Sequence, residues 1–253
     1  VDVNAMVTAA GDGADSDGGR IDALAQRNAV LRSGAVLDAS AGRTGDGGFI
    51  EFSAKDTVSI SGGLFRASAG TGGAAGHILI DPDKLQWTGS SFDMYSHGAL
   101  LELKADTEII LDNVFLSSRV VSGGDSRANH QTAASTGNSG EIKLSSKKIE
   151  LKNGTQVLAN ADGSFSAGKV SILATDNQST PVFGSVEDSI ASISISNSVI
   201  RGSDVKIKAE ANDKWVWTGN EYGDTVLDFL GSLRVGANVT FSTAHATVDL
   251  ING

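Results

Sequence analysis

Residues 36–42 read VLDASAG and residues 64–70 read LFRASAG, so an identical Ala-Ser-Ala-Gly run recurs at an offset of 28 residues. The likeness continues further along, because GFIE at 48–51 falls on GHIL at 76–79. One repeat earlier, residues 19–23 match residues 48–52 at an offset of 29. Self-similarity at such a period indicates a repeat architecture in which each repeat forms one structural unit.

Two short strand phrases recur within these repeats. The first alternates apolar residues after a Gly or another small residue, in the pairs Ile50/Phe52, Ile78/Ile80, Leu101/Leu103, Ile142/Leu144, Val170/Ile172, Val205/Ile207 and Val239/Phe241. The second follows a short turn, in the pairs Val58/Ile60, Leu85/Trp87, Ile109/Leu111, Ile149/Leu151, Trp215/Trp217 and Val248/Leu250. Alternation with a period of two, bounded by Gly, Asn and Asp, predicts strands with one buried face. Residues 21–32 fit these phrases better than they fit a helix.

The repeated order of the phrases selects the architecture. A sandwich of hairpins has no reason to repeat the same order at this period, whereas a stack of coils does. The sequence therefore predicts an all-β fold, a right-handed parallel β-helix (β-solenoid) with coils of roughly 28 residues. We expect residues 1–253 to form a single segment of this kind, with adjacent coils about 4.8 Å apart.

Three segments interrupt the repeat. Residues 120–139 are polar and rich in small side chains, residues 180–189 contain the second Pro, and residues 210–231 hold the densest group of aromatics. Insertions between the strands of a solenoid form loops on one face, which is often the binding face. We therefore predict that 120–139 and 210–231 are the variable surfaces of the molecule.

Composition and charge narrow the classes of function. The chain has 31 Gly, 2 Pro and no Cys, and only 6% of its residues are aromatic. This composition suits many short strands joined by turns and is unusual for a compact enzyme core. The net charge of −10 disfavours nucleic acid and anionic lipid as partners. The absence of Cys excludes a disulfide framework and a thiolate metal site.

The ends and the hydropathy of the chain add two expectations. No apolar stretch approaches the roughly 20 residues needed to span a bilayer, so membrane insertion is not predicted. The chain opens with VDVN, which has neither the basic start nor the apolar run of a signal peptide. Because it begins with Val1 and not Met, we expect it to be a processed piece of a longer protein.

Several phrases resemble the β-helix of filamentous haemagglutinin-like exoproteins, the adhesins of two-partner secretion systems. They are GGFIEFSA at 47–54, LIDP at 79–82, GEIKLS at 140–145 and IELKNG at 149–154. The resemblance covers roughly residues 18–253 as a repeat style, and the LIDP run is its most specific part. It implies export through an outer-membrane β-barrel partner, folding at the cell surface, and a role in adhesion or biofilm. The family's secretion domain carries an Asn-Pro-Asn-Gly-type motif that does not occur here, which implies an internal segment of the rod.

A polysaccharide lyase or hydrolase on the same scaffold is the main alternative among enzymes. Such sites need clustered carboxylates. Asp81 and Asp83 flank Pro82, and Asp106 and Asp112 follow one coil later, but no two neighbouring coils carry equivalent acidic pairs. We interpret these residues as turn carboxylates that cap backbone N–H groups, and we predict no catalytic residues.

No metal or cofactor is predicted. The histidines at 77, 97, 130 and 245 share no ligand spacing, and His77 takes the outward position that Phe49 fills one repeat earlier. Residues 12–19 read DGADSDGG, but the spacing of a calcium loop is not kept, and they align with the turn at 43–48. The glycine runs at 42–48 and 70–76 lack the Lys-Ser/Thr of a phosphate loop and precede strands, which indicates turns.

Trp215, Trp217 and Tyr222 are the candidate ligand-binding residues, because aromatic rings stack on sugars. A second interpretation stays open. Trp217-Thr218-Gly219 repeats Trp87-Thr88-Gly89, and the two Trp side chains, two positions apart, point to one face, which the alignment places in the core.

The sequence thus predicts a monomeric, stiff scaffold of a secreted or cell-surface bacterial adhesin, and not an enzyme. Its expected partners are a glycan or exopolysaccharide, or a cell-surface protein. A purely structural spacer without a ligand is the second alternative.

Overall fold

The computed structural model describes residues 1–89, 94–96, 98–120, 139–161, 165–176, 189–211, 216–217, 225–226, 229–235, 240–242 and 245–251. All regular elements within these residues are β-strands, and none of these residues lies in a helix. The prediction of an all-β fold is therefore confirmed.

The strands follow one another in units of three, which we number 1 to 8. Units 1 to 4 contain β1 (Asp2–Val3), β2 (Met6–Thr8), β3 (Arg20–Ala25), β4 (Asn28–Leu31), β5 (Val36–Asp38), β6 (Phe49–Ala54), β7 (Thr57–Ser61), β8 (Leu64–Arg66), β9 (His77–Ile80), β10 (Lys84–Thr88), β11 (Met94–Tyr95) and β12 (Leu100–Lys104). Units 5 to 7 contain β13 (Glu108–Asp112), β14 (Phe115–Ser117), β15 (Glu141–Ser146), β16 (Lys148–Lys152), β17 (Gln156–Leu158), β18 (Lys169–Asp176), β19 (Ser189–Ile195), β20 (Val199–Arg201) and β21 (Asp204–Ala211). After β22 (Val216–Trp217) and β23 (Thr225–Val226), unit 8 contains β24 (Phe229–Val235), β25 (Thr240–Ser242) and β26 (His245–Ile251).

The three strands of each unit belong to three different eight-stranded sheets. In spatial order, sheet A is β1-β4-β7-β10-β13-β16-β19-β24, sheet B is β2-β5-β8-β11-β14-β17-β20-β25, and sheet C runs from β3 through every third strand to β21 and β26. All neighbouring strands within these sheets are parallel. Among the described strands, only β22 and β23 pair in antiparallel fashion.

The register of the sheets confirms the repeats read from the sequence. Val36 pairs with Leu64 in sheet B, and Ile50 pairs with Ile78 in sheet C. The match of residues 19–23 with 48–52 is also found, since Ile21 pairs with Ile50. The first phrase is the inward face of sheet C from β6 to β21, and the second is the inward face of sheet A from β7 to β16.

The predicted alignment is wrong for the last units. Phe241 lies in sheet B, where it pairs with Ile200, and the sheet C partner of Ile207 is Val248. Leu250 also belongs to sheet C and not to sheet A. The sheet A position of unit 7 is filled by Ile193 and Ile195 in β19, which the sequence phrases passed over. Short apolar alternations are interchangeable between the sheets, so they do not identify the sheet once inserted segments disturb the spacing.

The three sheets enclose one aliphatic core. The inward row of sheet C consists of Ile21, Ile50, Ile78, Leu101, Ile142, Val170 and Val205, each no more than 7% exposed. Phe52 of sheet C, Phe65 of sheet B and Trp87 of sheet A meet inside, with ring centroids 5.9 Å and 5.5 Å apart. Burial of side chains of this size contributes about 1.5–3 kcal/mol each, so the stacked rows are the main source of stability.

Asn residues form the turns from sheet A to sheet B in units 5 to 7. Asn113, Asn153 and Asn197 have φ angles of 56°, 54° and 44°. Asn tolerates this left-handed region better than other residues with a side chain. The Nδ2 of Asn153 also donates a hydrogen bond to the Asp112 carboxylate of the preceding unit, at 2.9 Å. These turns therefore hold neighbouring units in register.

We call the connections from sheet B to sheet C in units 1, 2, 3 and 6 the corner loops. Their described residues are 9–19, 39–48, 67–76, 159–161 and 165–168. Three of them are closed at the base by the N–H of a Gly, since Gly19 donates to Ala9, Gly48 to Ala39 and Gly168 to Ala159. A Cβ on Gly48 would lie 2.1 Å from the Gly19 carbonyl oxygen, so this close approach requires glycine.

The three predicted insertions occupy defined places in the strand order. Segment 120–139 joins β14 to β15, where units 1, 2, 3 and 6 have a corner loop. Segment 180–189 leads into β19, and segment 210–231 runs from the end of β21 into β24 and contains β22 and β23. Residues 121–138, 177–188, 212–215, 218–224 and 227–228 lie outside the described residues, so the role of these segments as variable surfaces stays a prediction.

Candidate functional site

Of the three aromatic residues predicted to bind a ligand, Trp217 is the one that lies within the described residues. Trp215 and Tyr222 lie outside the described residues. Trp217 ends β22 and pairs with Thr225 in β23, so its predicted alignment with Trp87 of sheet A is wrong. Ligand binding by the three aromatics stays a prediction.

The acidic residues considered for catalysis are engaged in local structure. Asp81 accepts a hydrogen bond from Lys104 Nζ at 3.1 Å, and Asp112 accepts one from Asn153. Asp83 and Asp106 form hydrogen bonds through their main chains. The Asp83 carbonyl accepts one from the Thr107 N–H, and the Asp106 N–H donates one to the Pro82 carbonyl. Within the described residues, no three His, Asp or Glu side chains come together in a way that could hold a metal ion.

The Asp- and Gly-rich stretch at 12–19 is a corner loop stacked on the next one. The main-chain N–H groups of Gly42 and Thr44 donate to the carbonyls of Ser16 and Ala14. The alignment of residues 12–19 with the turn at 43–48 is therefore confirmed. The glycine runs at 42–48 and 70–76 also lie in corner loops, and each leads into a strand of sheet C as predicted.

His77 occupies the predicted outward position beside Phe49. The two residues pair across β6 and β9, and their rings meet edge to face with centroids 5.1 Å apart. His245 pairs with Asp204 in sheet C, whereas His97 and His130 lie outside the described residues. The contact of His77 with Phe49 lies on the outer side of sheet C, between units 2 and 3.

Polar and aromatic side chains are frequent on this outer side, where Leu79 and Leu100 interrupt them. We call the surface formed by Arg20, Asp22, Phe49, Glu51, His77, Asp81, Glu102 and Lys104 the acidic face. Its members project from β3, β6, β9 and β12 or, for Asp81, from the residue after β9, in strands that are direct neighbours in sheet C. Alternation along each strand places them outward while Ile21, Ile50, Ile78 and Leu101 point into the core.

Arg20 binds across the first two strands of the acidic face. Its guanidinium carbon lies 4.1 Å from the centroid of the Phe49 ring, a cation–π arrangement. Its nitrogens lie 2.6 Å from Asp22 and 3.6 Å from Glu51. The hydrogen bond to Asp22 raises the pKa of Arg20 above its usual value. The ring and the two carboxylates therefore form a site that holds a cation.

The next two strands carry a related arrangement. His77 Nε2 lies 3.2 Å from Glu102 Oε2, and both side chains are about 30% exposed (31% and 30%). Lys104 donates to Asp81, and this hydrogen bond raises the pKa of Lys104. Four carboxylates against two permanent cations, with His77 neutral, give the acidic face a net charge of −2.

The sequence did not indicate this surface. The outward residue at one position of sheet C changes type from unit to unit, in the order Glu51, Leu79, Glu102 and Lys143. In the sequence this variation looks like the absence of any constraint on the outward residue. The feature emerges only when each residue is seen beside its neighbours in the sheet. The sequence feature that could have indicated it is the presence of charged or aromatic residues at the outward positions of β3, β6, β9 and β12.

The comparisons with known proteins give no family for this chain. It matches no protein-family model, no curated protein and no solved structure. In the part of the chain that the structure describes, there is no helix long and apolar enough to cross a membrane.

Proposed function

We propose that the three parallel sheets wind as one right-handed β-helix and that this rod is the display scaffold of a secreted or cell-surface adhesin. The observation that carries the proposal is the strand order, in which each sheet takes one strand from each of the eight units in turn. A chain that visits three sheets in turn and returns one strand spacing further along describes a solenoid. Right-handed winding is the rule for parallel crossovers.

The dimensions suit a stiff spacer that carries binding surfaces. Parallel strands about 4.8 Å apart give eight units a length of roughly 35–40 Å. The core rows run through the units, so each unit is stabilised by its neighbours on both sides. Loops and outward side chains can then vary with little effect on the core, which is the property that a display scaffold needs.

Adhesion, export through an outer-membrane β-barrel partner and a surface location rest on the resemblance to haemagglutinin-like exoproteins. The ligand class that we propose is a glycan or exopolysaccharide, with a cell-surface protein as the other candidate. The carboxylates of the acidic face that pair with Arg20 and Lys104 are poor candidates for acid–base catalysis. A general acid or base must be able to reach the proton that it transfers, and these carboxylates already accept hydrogen bonds from a permanent cation.

Shape and binding can be tested on the same sample of the purified chain. Small-angle scattering should give a monomer whose profile fits one stack of eight units about 4.8 Å apart, and beads coated with the chain should bind members of a panel of surface polysaccharides and proteins. A stack of this shape that binds nothing in the panel would leave the spacer as the function. Release of new reducing or unsaturated ends from a polysaccharide would identify an enzyme, and a profile that does not fit a single stack would overturn the β-helix.

A further inference from the structure

We propose that Asn153 is a site of deamidation and that the stacking of unit 7 on unit 6 controls when it reacts. Asn153 and Gly154 lie in the turn from β16 to β17, and both residues are exposed. In deamidation, the main-chain nitrogen of the residue after an Asn attacks the side-chain amide. A Gly in that place has no side chain to hinder the approach. The inference goes beyond the proposed scaffold function and needs no ligand.

The bonds and protons of the reaction balance with water as the co-reactant. The Gly154 nitrogen gives its proton to hydroxide and forms a bond to Cγ of Asn153. The bond from Cγ to Nδ2 breaks, and the former amide takes up a proton from water and leaves as ammonia. Water then opens the five-membered imide at either of its two carbonyls. One opening gives aspartate, and the other gives isoaspartate, in which the main chain runs through the former side chain.

The folded turn restrains both reacting groups. The N–H of Gly154 donates a hydrogen bond to the carbonyl of Asn197 in unit 7, at 2.7 Å. Nδ2 of Asn153 donates to the Asp112 carboxylate in unit 5, at 2.9 Å. Removal of the Gly154 proton breaks the first hydrogen bond, and rotation of the amide toward Gly154 breaks the second, so the reaction in the folded chain costs both. Asn153 is therefore protected while unit 7 is stacked on unit 6, and it reacts when unit 7 opens.

The product weakens the contact that the amide makes. Deamidation replaces the Nδ2 donor by a carboxylate, so Asp112 loses a hydrogen bond and meets a like charge. The isoaspartate form also lengthens the main chain by one carbon atom, which displaces the Gly154 N–H from Asn197. Each reaction thus marks a past opening of the rod and loosens units 5 to 7 at the same place.

Mass spectrometry of the tryptic peptide 153–169 measures the reaction in the complete chain. Fragment ions distinguish Asn153 from Asn160 in the same peptide. At mildly alkaline pH we expect deamidation of Asn153 to be at least about tenfold slower in the folded chain than in guanidinium chloride, because only opened molecules react. Equal rates in the two states would overturn the proposal, as would no deamidation of Asn153 in the unfolded chain.

Two matched variants test control by unit 7. Ile200 lies in β20 of unit 7 and Ile78 in β9 of unit 3, and both side chains are 0% exposed. Each change of Ile to Val removes one buried methyl group. We expect Ile200→Val to speed deamidation of the folded chain about three- to tenfold and Ile78→Val to change it by less than about twofold. Equal acceleration by both variants would mean that Asn153 reacts through unfolding of the whole rod, which contradicts control by unit 7.

The effect of the product is tested with an exchange of side chains. Asn153→Asp places the aspartate product in the turn and should shift the urea midpoint, followed by circular dichroism, to a lower concentration. Adding Asp112→Asn to that variant restores one donor and one acceptor and should recover most of the shift. An unchanged midpoint in Asn153→Asp, or an equal loss in the double variant, would show that the product does not loosen the stack.

Discussion

The Asp17 carboxylate accepts a hydrogen bond from the main-chain N–H of Asp46, the equivalent residue of the next corner loop, at 2.8 Å. The Asp46 carboxylate in turn accepts one from the N–H of Ala74, at 2.6 Å. Each Asp therefore supplies an acceptor for the loop above it, and the series ends where the third loop has Ala74 and the connection in unit 4 is too short to form a loop.

Replacement of Asp46 by Ala should loosen the stack of corner loops. The N–H of Ala74 loses its charged acceptor, and we expect the free energy of unfolding to fall by about 0.5–1.5 kcal/mol, since the site is exposed to water. Urea titration followed by circular dichroism measures the change. Asp12→Ala, in the same loop series but without a described side-chain hydrogen bond, is the matched control, and an equal loss in both variants would speak against this function of Asp46.

Trp87 offers a separate test of the core. Its side chain is 1% exposed and packs on Phe65, but its Nε1–H has no hydrogen-bond acceptor among the described residues. Trp87→Ala leaves a large cavity and should lower the free energy of unfolding by about 3–5 kcal/mol. Trp87→Phe keeps a ring and removes the unpaired donor, so we expect a loss below about 1.5 kcal/mol. Similar losses in urea titrations of the two variants would mean that the indole N–H is satisfied in solution.

Gly168 marks a point where two loops approach too closely for a side chain. A Cβ there would lie 1.7 Å from the Gly140 carbonyl oxygen, so Gly168→Ala should cost about 3 kcal/mol of stability. Gly72 has a φ of +76° and open space around it, and Gly72→Ala should cost only about 1 kcal/mol for the strained main chain. Thermal or urea unfolding ranks the two variants, and the reverse order would be inconsistent with this packing.

The pair Lys104–Asp81 should give stability a dependence on alkaline pH. The hydrogen bond to Asp81 raises the pKa of Lys104 above the value of 10.5 expected in the unfolded chain. The contribution of the pair is thus fully present below that value and is lost as pH rises through the folded-state pKa. The difference in stability between the native chain and Asp81→Asn, measured in urea, should be constant from about pH 8 to 10 and shrink above it. A difference that persists unchanged at higher pH would show that Lys104 does not titrate through this pair.

The sequence predicted the strands whose inward residues alternate regularly, and it did so because core positions tolerate few residue types. Ile50, Ile78 and Leu101 could be aligned by type alone, and the structure pairs them in that order. The three-residue strands of sheet B were not recognised as a phrase of their own, since one inward residue such as Leu37 gives no alternation.

The acidic face could not be predicted, for a different reason. Arg20, Phe49 and His77 are 29 and 28 residues apart and differ in chemical type, so no local pattern joins them. Their contact depends on the register of parallel strands, which sets each residue beside its counterpart in the next unit. A comparison of repeats detects residues that stay the same from unit to unit, whereas the acidic face is formed by residues that differ between units.

Distances along sheet A test the β-helix most directly. The chain has no Cys, so pairs of Cys substitutions can be spin-labelled without background. Ser59, Glu150, Ser194 and Arg234 lie in register in one row of sheet A, and Ser59 is separated from the other three by three, four and five strand spacings. Pulsed electron resonance on Ser59→Cys combined with each of the others should give backbone separations that increase by about 4.8 Å per unit, to roughly 14, 19 and 24 Å. Distances that do not increase in this order would rule out a single stack of units.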